Sequence, residues 1–367
     1  MGFAFIKHDT NLDFIGKRYW AYGISVLLIL VGLASMFMGQ GLKMGIDFAG
    51  GVIAQIQFEH PVKDEALKKS LDVPALPGIS TQRFGAGDRD YLLRFSQSEN
   101  ANASQLRTAL IDTLASAFPD NKAEIQRLEV VGPKVGADLT NKALAALYYS
   151  VLLIAVYISG RFEQRWMAGA IMAGALWGGM YLAGLTGLGM GWLVLLSLAI
   201  TLVVCFFLKL NFALGAIVGL LHDVSITLGL LSVMGVEIDL NVMAALLTLV
   251  GYSLNDTIIV YDRLRENLRA APQLTMSALI NRSVNQTLSR TILTSGTTLL
   301  ATLSLFVLGG GVIHDFALTM LIGVFVGTAS SIYVSSAILL ALGDSEFYTQ
   351  RAQAGDKYQR PGEHGVV

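Results

Sequence analysis

Stretches of roughly twenty residues with almost no charge recur along this chain, and they limit its fold more than any other feature. A backbone inside lipid must satisfy its own hydrogen bonds, so only helices and closed barrels can span, and runs this continuously apolar select helix. Eight spans are predicted, at residues 19–38, 142–160, 166–186, 191–209, 211–234, 239–261, 290–310 and 313–341. Composition agrees, with 53% hydrophobic and 14% charged residues, where a soluble domain carries roughly 25% charged. The charges are unevenly spread, since 11 of the 26 Lys and Arg fall between Lys43 and Lys134. The expectation is a polytopic α-helical membrane protein with one water-soluble segment. A net charge of −1 gives no reason to expect nucleic acid as a partner. The single cysteine, Cys205, excludes an intrachain disulfide framework.

Orientation follows from the short connections. Lys17 and Arg18 precede the first run, which opens with Tyr19, Trp20 and Tyr22, as suits a helix anchored at a cytoplasmic interface. Its apolar core exceeds a typical signal-peptide core and no small-residue cleavage pattern follows, so a retained anchor is expected. Lys7, Arg161, Arg165, Lys209, the 263–290 stretch and the 351–360 stretch place their basic residues at the same set of helix ends. The opposite short loops, 187–190, 235–238 and 311–314, hold no Lys or Arg. Both termini (1–18 and 342–367) are therefore expected in the cytoplasm, with the long segment 40–140 on the far side.

That segment alternates like a small α+β domain. Val52, Ala54, Ile56 and Phe58 share one strand face, with Gln55 and Gln57 on the other. A helix is predicted from Asp64 to Leu71, ended by Pro74 and Pro77. Two strands, 79–84 and 91–95, flank a glycine-rich hairpin at residues 85–88. A helix capped by Ser104 runs to about Phe118, and a last strand covers 125–131. The order β-α-β-β-α-β predicts a ferredoxin-like domain. It shows no metal-ligand cluster and no nucleophile–base pair, which points to a binding or force-transmitting module rather than an enzyme.

The chain also lacks a Gly-x-x-x-x-Gly-Lys-Ser/Thr phosphate loop. Work must then draw on a partner ATPase or an ion gradient, the latter supplying about 2.3 kcal/mol per charge per 100 mV. Gradient coupling needs ionisable groups inside the bilayer, where a charge costs about 2.5–3.5 kcal/mol on insertion scales. Four stand out: His222, Asp223, Asp256 and Arg290. Helical spacing puts Tyr252, Asp256 and Ile259 on one face, with Ser253, Asn255 and Thr257 nearby. Thr294 and Thr298 follow Arg290 at four-residue steps, and Thr227 follows Asp223. Carboxylates above hydroxyl stripes, with an arginine able to pair with Asp256, are the parts of a proton path. The plainer alternative is a polar network that only fixes helix packing. Asp262 and Asp344 have the look of an intramembrane aspartyl pair, but Ala341 stands where that motif needs glycine, and both lie at helix ends.

Five collinear stretches resemble the SecF family of protein-export membrane proteins, in the SecD/SecF group of the resistance-nodulation-division superfamily. They are Gly45-Ile46-Asp47-Phe48-Ala49-Gly50-Gly51, residues 131–138, residues 213–223, Gly251-Tyr-Ser-Leu-Asn-Asp-Thr257 and Asn285-Gln-Thr-Leu-Ser-Arg-Thr291. The resemblance implies a half-transporter bundle that pairs with SecD, associates with the SecYEG translocon and YajC in the inner membrane, and uses the proton-motive force to draw preproteins outward. It places Asp256 and Arg290 in the proton path, and implies no cofactor. Asp47, Gly50 and Gly51 are expected to be structural, the glycines allowing a tight turn. The family ordinarily has six spans, so residues 164–209 are an insert whose two apolar runs preserve the threading. The predicted layout is a first span at 19–39, the soluble domain at 40–140, a second span at 141–163, the inserted pair at 164–209 and four core helices at 210–341. Two other functions fit the same features: an exporter half for lipids or small molecules, and a passive translocase scaffold.

Overall fold

The computed structural model describes residues 11–39, 41–71, 73, 76, 78–84, 89–95, 103–163, 166–185, 187 and 189–343. The predicted hairpin loop at 85–88, Pro74, Pro77, Lys7, Arg165, Asp344 and the tail beyond 343 lie outside them. A short 3-10 turn, Ile15–Lys17, leads into α1, Arg18–Met38. A single helical turn, α2 (Ile46–Ala49), then opens the small domain. There follow β1 (Gly51–Phe58), α3 (Asp64–Leu71), β2 (Ser80–Phe84), β3 (Asp90–Phe95), α4 (Ala103–Ala117) and β4 (Ala123–Val131). The sheet is antiparallel in the order β2-β3-β1-β4, the ferredoxin-like arrangement expected from the sequence. Val52, Ala54, Ile56 and Phe58 are buried with Leu67, Leu71, Tyr91, Leu93 and Leu110 beneath the two helices. Removing each such large side chain from water contributes about 1.5–3 kcal/mol. One detail differs: α4 begins at Ala103, so Ser104 sits inside its first turn, where its carbonyl accepts the Thr108 hydroxyl.

The bundle consists of α1 with α5 (Pro133–Glu163), α6 (Trp166–Gly184), α7 (Met190–Phe207), α8 (Asn211–Met234), α9 (Leu240–Ala270), α10 (Met276–Leu308) and α11 (Gly311–Ser330). After α11, a π-turn at Ser331–Ser335 runs into α12, Ser336–Leu342. Several helices outrun their apolar spans. α10 starts at Met276, so Arg290 lies in mid-helix rather than at the head of a span. α5 starts at Pro133, whose missing N–H costs nothing in a first turn. Seven of the described helices are long and apolar enough to cross a membrane. α6, Trp166–Gly184, is roughly 28 Å long, close to a hydrocarbon core of roughly 30 Å.

The seam between α1 and α8 fixes the frame. Gly32 and Gly229 cross so closely that a Cβ on Gly32 would stand 2.6 Å from the Gly229 Cα. Small residues allow this approach where lipid provides no hydrophobic drive between helices. On either side of the crossing, Ser25 bonds His222 and Ser35 bonds Ser232, at 2.8 and 3.0 Å. Residue numbers rise together along both helices, so α1 and α8 run parallel.

The turn from α1 into the small domain uses the expected glycines. Gly50 and Gly51 have φ of +76° and +141°, backbone that a side chain adopts only under strain. A Cβ on Gly51 would also meet the Phe95 carbonyl oxygen at 3.0 Å. Asp47 accepts the Leu240 N–H at 2.9 Å, and Asp239 caps α9 through Val242. Gly45, whose N–H bonds the Ile238 carbonyl, and Asp47 thus hold the small domain against the start of α9, while Gly50 and Gly51 make the turn into β1.

Candidate functional site

Where α8, α9 and α11 meet, Asp223 is fully buried. Its Oδ2 accepts the hydroxyls of Ser253 on α9 and Ser330 on α11, at 2.5 and 2.8 Å. Its Oδ1 faces His222 Nδ1 at 2.8 Å, and His222 Nε2 faces the Ser25 hydroxyl of α1 at 2.8 Å. In the tautomer that carries its proton on Nδ1, the ring donates to Asp223 and Nε2 accepts from the Ser25 hydroxyl. Three helices besides its own therefore contribute to the shell of Asp223.

Asp256, on α9, is equally buried but thinly held. Ser295 of α10 donates to its Oδ2 at 3.2 Å, and Oδ1 is buried without a hydrogen-bond partner. Buried polar atoms are normally paired, so this oxygen is an exception in a costly place. Two further orphans, Tyr252 Oη and Thr291 Oγ1, lie one helical turn from Asp256 and Ser295 respectively. Thr328 of α11 donates to the Ser295 oxygen at 2.8 Å. Hydroxyls of α11 thus reach both carboxylates: Ser330 touches Asp223, and Thr328 touches Asp256 through Ser295.

The π-turn follows at once. Its widened backbone carries Tyr333, and the Ser335 carbonyl accepts the Tyr261 hydroxyl at 2.9 Å. Single π-turns inside α-helices occur frequently at functional sites. Gly215 and Gly219 of α8 leave room for it, since a Cβ on Gly219 would overlap the Ser335 hydroxyl.

The sequence residues divide. Asp223, Asp256, His222, Ser253 and Thr257 come together in the buried core. Arg290 is exposed and Asp256 is hydrogen-bonded by Ser295 rather than by the guanidinium, although the Arg290 charge lies within electrostatic range of that carboxyl. Thr294 and Thr298 turn their hydroxyls to carbonyls of α10 itself, and Asn255 is exposed. The buried stripe of α10 runs one position over, through Ser283, Thr287, Thr291 and Ser295. Four-residue spacing alone did not reveal which of the two stripes faces inward. Ser295, Thr328, Ser330 and Ser25 were missed because serine and threonine are too common in helices to draw notice. Asp262 pairs with Arg161 at 3.1 Å at an open helix end.

Fold and site together define a polytopic helical membrane protein with buried ionisable groups and a small sheet domain. The family described as "Protein export membrane protein SecD/SecF, C-terminal" matches residues 111–187 and 183–345, the two pieces meeting at the turn between α6 and α7. The "SecD/SecF GG Motif" matches residues 36–62. Similar relatives include the "Protein translocase subunit SecF" of Magnetococcus marinus, 40% identical over 92% of this chain and 94% of that one. The protein of the same name from Calditerrivibrio nitroreducens is 37% identical over 91% and 95%. Among solved structures, SecDF of Thermus thermophilus, a translocon-associated membrane protein, superposes with a TM-score of 0.67 at 33% identity. That match covers 92% of this chain but only 39% of the longer SecDF chain. The chain belongs to the SecD/SecF family, on its SecF side, and has a SecF-type auxiliary role in protein export.

Proposed function

We propose that the chain works with SecD beside the SecYEG translocon and YajC, and uses the proton-motive force across the inner membrane to draw preproteins outward. Asp256 is the proton acceptor, Arg290 its electrostatic partner, and the His222–Asp223 pair the second station. The observation that carries this reading is the unpartnered, buried carboxylate oxygen of Asp256 within a membrane-spanning helix pair. Protonation of a carboxylate so placed would change its neighbours' pairing.

A second feature supports a partner at this place. Along α9, Ala244, Thr248, Gly251 and Asn255 form an exposed stripe, and α10 beside it exposes Arg290 and Thr297. Small and polar residues facing outward at membrane depth suit another helix rather than lipid. SecD is the proposed occupant, bringing a carboxylate within reach of Arg290. Both termini lie in the cytoplasm on this reading, and the sheet domain outside, where it handles the emerging preprotein. The parallel run of α1 and α8 supports that threading.

Export into membrane vesicles under an imposed proton gradient tests the mechanism, using Asp256→Asn and Arg290→Ala with SecD present. Loss of the gradient-dependent part in both variants is expected, with ATP-driven export retained. Full gradient response in both variants would sink it and leave a passive scaffold.

A further inference from the structure

The described chain begins with a segment that the mechanism above does not use. Residues 12–15 lie across α10, held by two asparagines one helical turn apart. Asn285 pairs with Leu12 in both directions, Oδ1 accepting its N–H at 3.0 Å and Nδ2 donating to its carbonyl at 2.9 Å. Asn281 Oδ1 accepts the N–H groups of Phe14 and Ile15, each at 3.0 Å, while its Nδ2 donates to Asp13 at 2.8 Å. The same segment reaches the π-turn: Phe14 meets Tyr333 edge-to-face with centroids 5.9 Å apart. Phe14 and Ile15 are both buried in the core that includes Leu279, Ile280 and Ile332. Beyond them, α1 continues to Ser25 and its bond to His222.

Residues 12–25 thus touch α10 roughly one and a half to two and a half turns before Arg290, the π-turn, and the histidine of the Asp223 pair. Asn285 stands roughly 7.5 Å along the helix axis from Arg290. Two amide side chains spent on capturing backbone specify the register of a strap, which burial of Phe14 and Ile15 alone leaves free to slide.

We propose that Asn281 and Asn285 are positioning residues: they fix the strap, and through it set α10 and Arg290 against the π-turn and His222. This inference rests on the proton-coupling reading. Misplacement of an acting group by about 1 Å can cost about a hundredfold in rate. The variants Asn281→Ala and Asn285→Ala should therefore need a steeper imposed gradient for half-maximal export, and lose about tenfold at a limiting gradient. The amount of chain in the membrane and its co-purification with other translocase subunits should stay unchanged. Asn285→Gln keeps the amide and should restore most of the loss.

An Asp256→Asn control, run in the same vesicles, separates the two levels. If Asp256→Asn responds normally to the gradient, the underlying reading fails. If Asp256→Asn is unresponsive while both alanine variants match the parent, the strap inference is overturned and the reading survives. A loss that only tracks reduced chain in the membrane, or that Asn285→Gln does not relieve, also overturns positioning in favour of simple packing.

Discussion

Two seams tie segments outside the bundle to its helices, and they are built from different chemistry. On the sheet side, backbone bridges join Lys43 and Gly45 to Ile238, and Arg94 of β3 pairs with half-buried Glu237 at 2.7 Å. On the opposite side, Asn281 and Asn285 hold the strap by neutral amide-to-backbone bonds, with exposed Asp13 as the acid among its partners. Their acids respond to pH in opposite senses. Burial raises the Glu237 carboxyl above its usual 4.5, with Arg94 pulling it back and Asp315, Lys43 and Asp239 adding smaller effects. The Gly16 N–H and the Asn281 amide hold Asp13 below its usual 3.8. Acidification therefore reaches the sheet-side seam first, and on the proposed orientation that is the side from which protons enter.

The largest effect should come from crowding the sheet-side seam. A Cβ on Gly136 would meet the Phe48 carbonyl oxygen at 2.8 Å, whereas one on Gly132 meets nothing within 4 Å. Gly136→Val should cost about 1–3 kcal/mol, read as earlier thermal unfolding or faster proteolysis of the sheet domain. Gly132→Ala should behave like the parent, and equal melting of all three would mean the seam is loose.

A smaller change is expected from Glu237→Gln. Because the folded carboxyl binds its proton above 4.5, lowering the pH through that raised value toward 4.5 favours the folded seam. The parent's sheet domain should gain thermal stability on that descent, and the glutamine variant should lose the dependence. A parent profile that falls over the same window would mean that the Arg94 pair outweighs burial.

Asp13→Asn should have the least consequence. A depressed carboxyl contributes above its unfolded value and is lost as pH falls through the folded one, so the parent's strap weakens only below 3.8. Amide exchange of residues 12–17 should be only slightly faster in the variant near neutrality, and the difference should close as the pH falls below 3.8. A large difference there would show that charge, rather than the asparagine amides, holds this seam.

The sheet domain was the more legible half of the sequence. The alternation Val52, Ala54, Ile56, Phe58 has one buried solution, and it predicts the strand face that the fold shows. Helix lengths in the bundle were not legible, because hydropathy reports only the part inside lipid. The polar first half of α10 and the last turns of α9 extend beyond their most apolar stretches, held by contacts such as Asn267 with Ser283 and Gln286. At the site, Asp223 and Asp256 declared themselves by being acidic in apolar runs. Their hydroxyl partners did not, since the inward phase of α10 depends on how neighbouring helices pack. Arg290 stood out as a charge on the next helix, and in the fold it is exposed while still acting electrostatically on Asp256.

The π-turn at Ser331–Ser335 amounts to one surplus residue wound into an otherwise regular helix. Each residue advances an α-helix by roughly 100°, so everything from Ser336 onward is out of phase with α11 by that angle. Were that surplus to pass along the helix, each step would break and remake one set of backbone bonds. Only the turn it crosses rotates, while both ends stay where they are. A shift of one turn toward Thr328 and Ser330 would swing those hydroxyls away from the two carboxylates without moving the helix as a body.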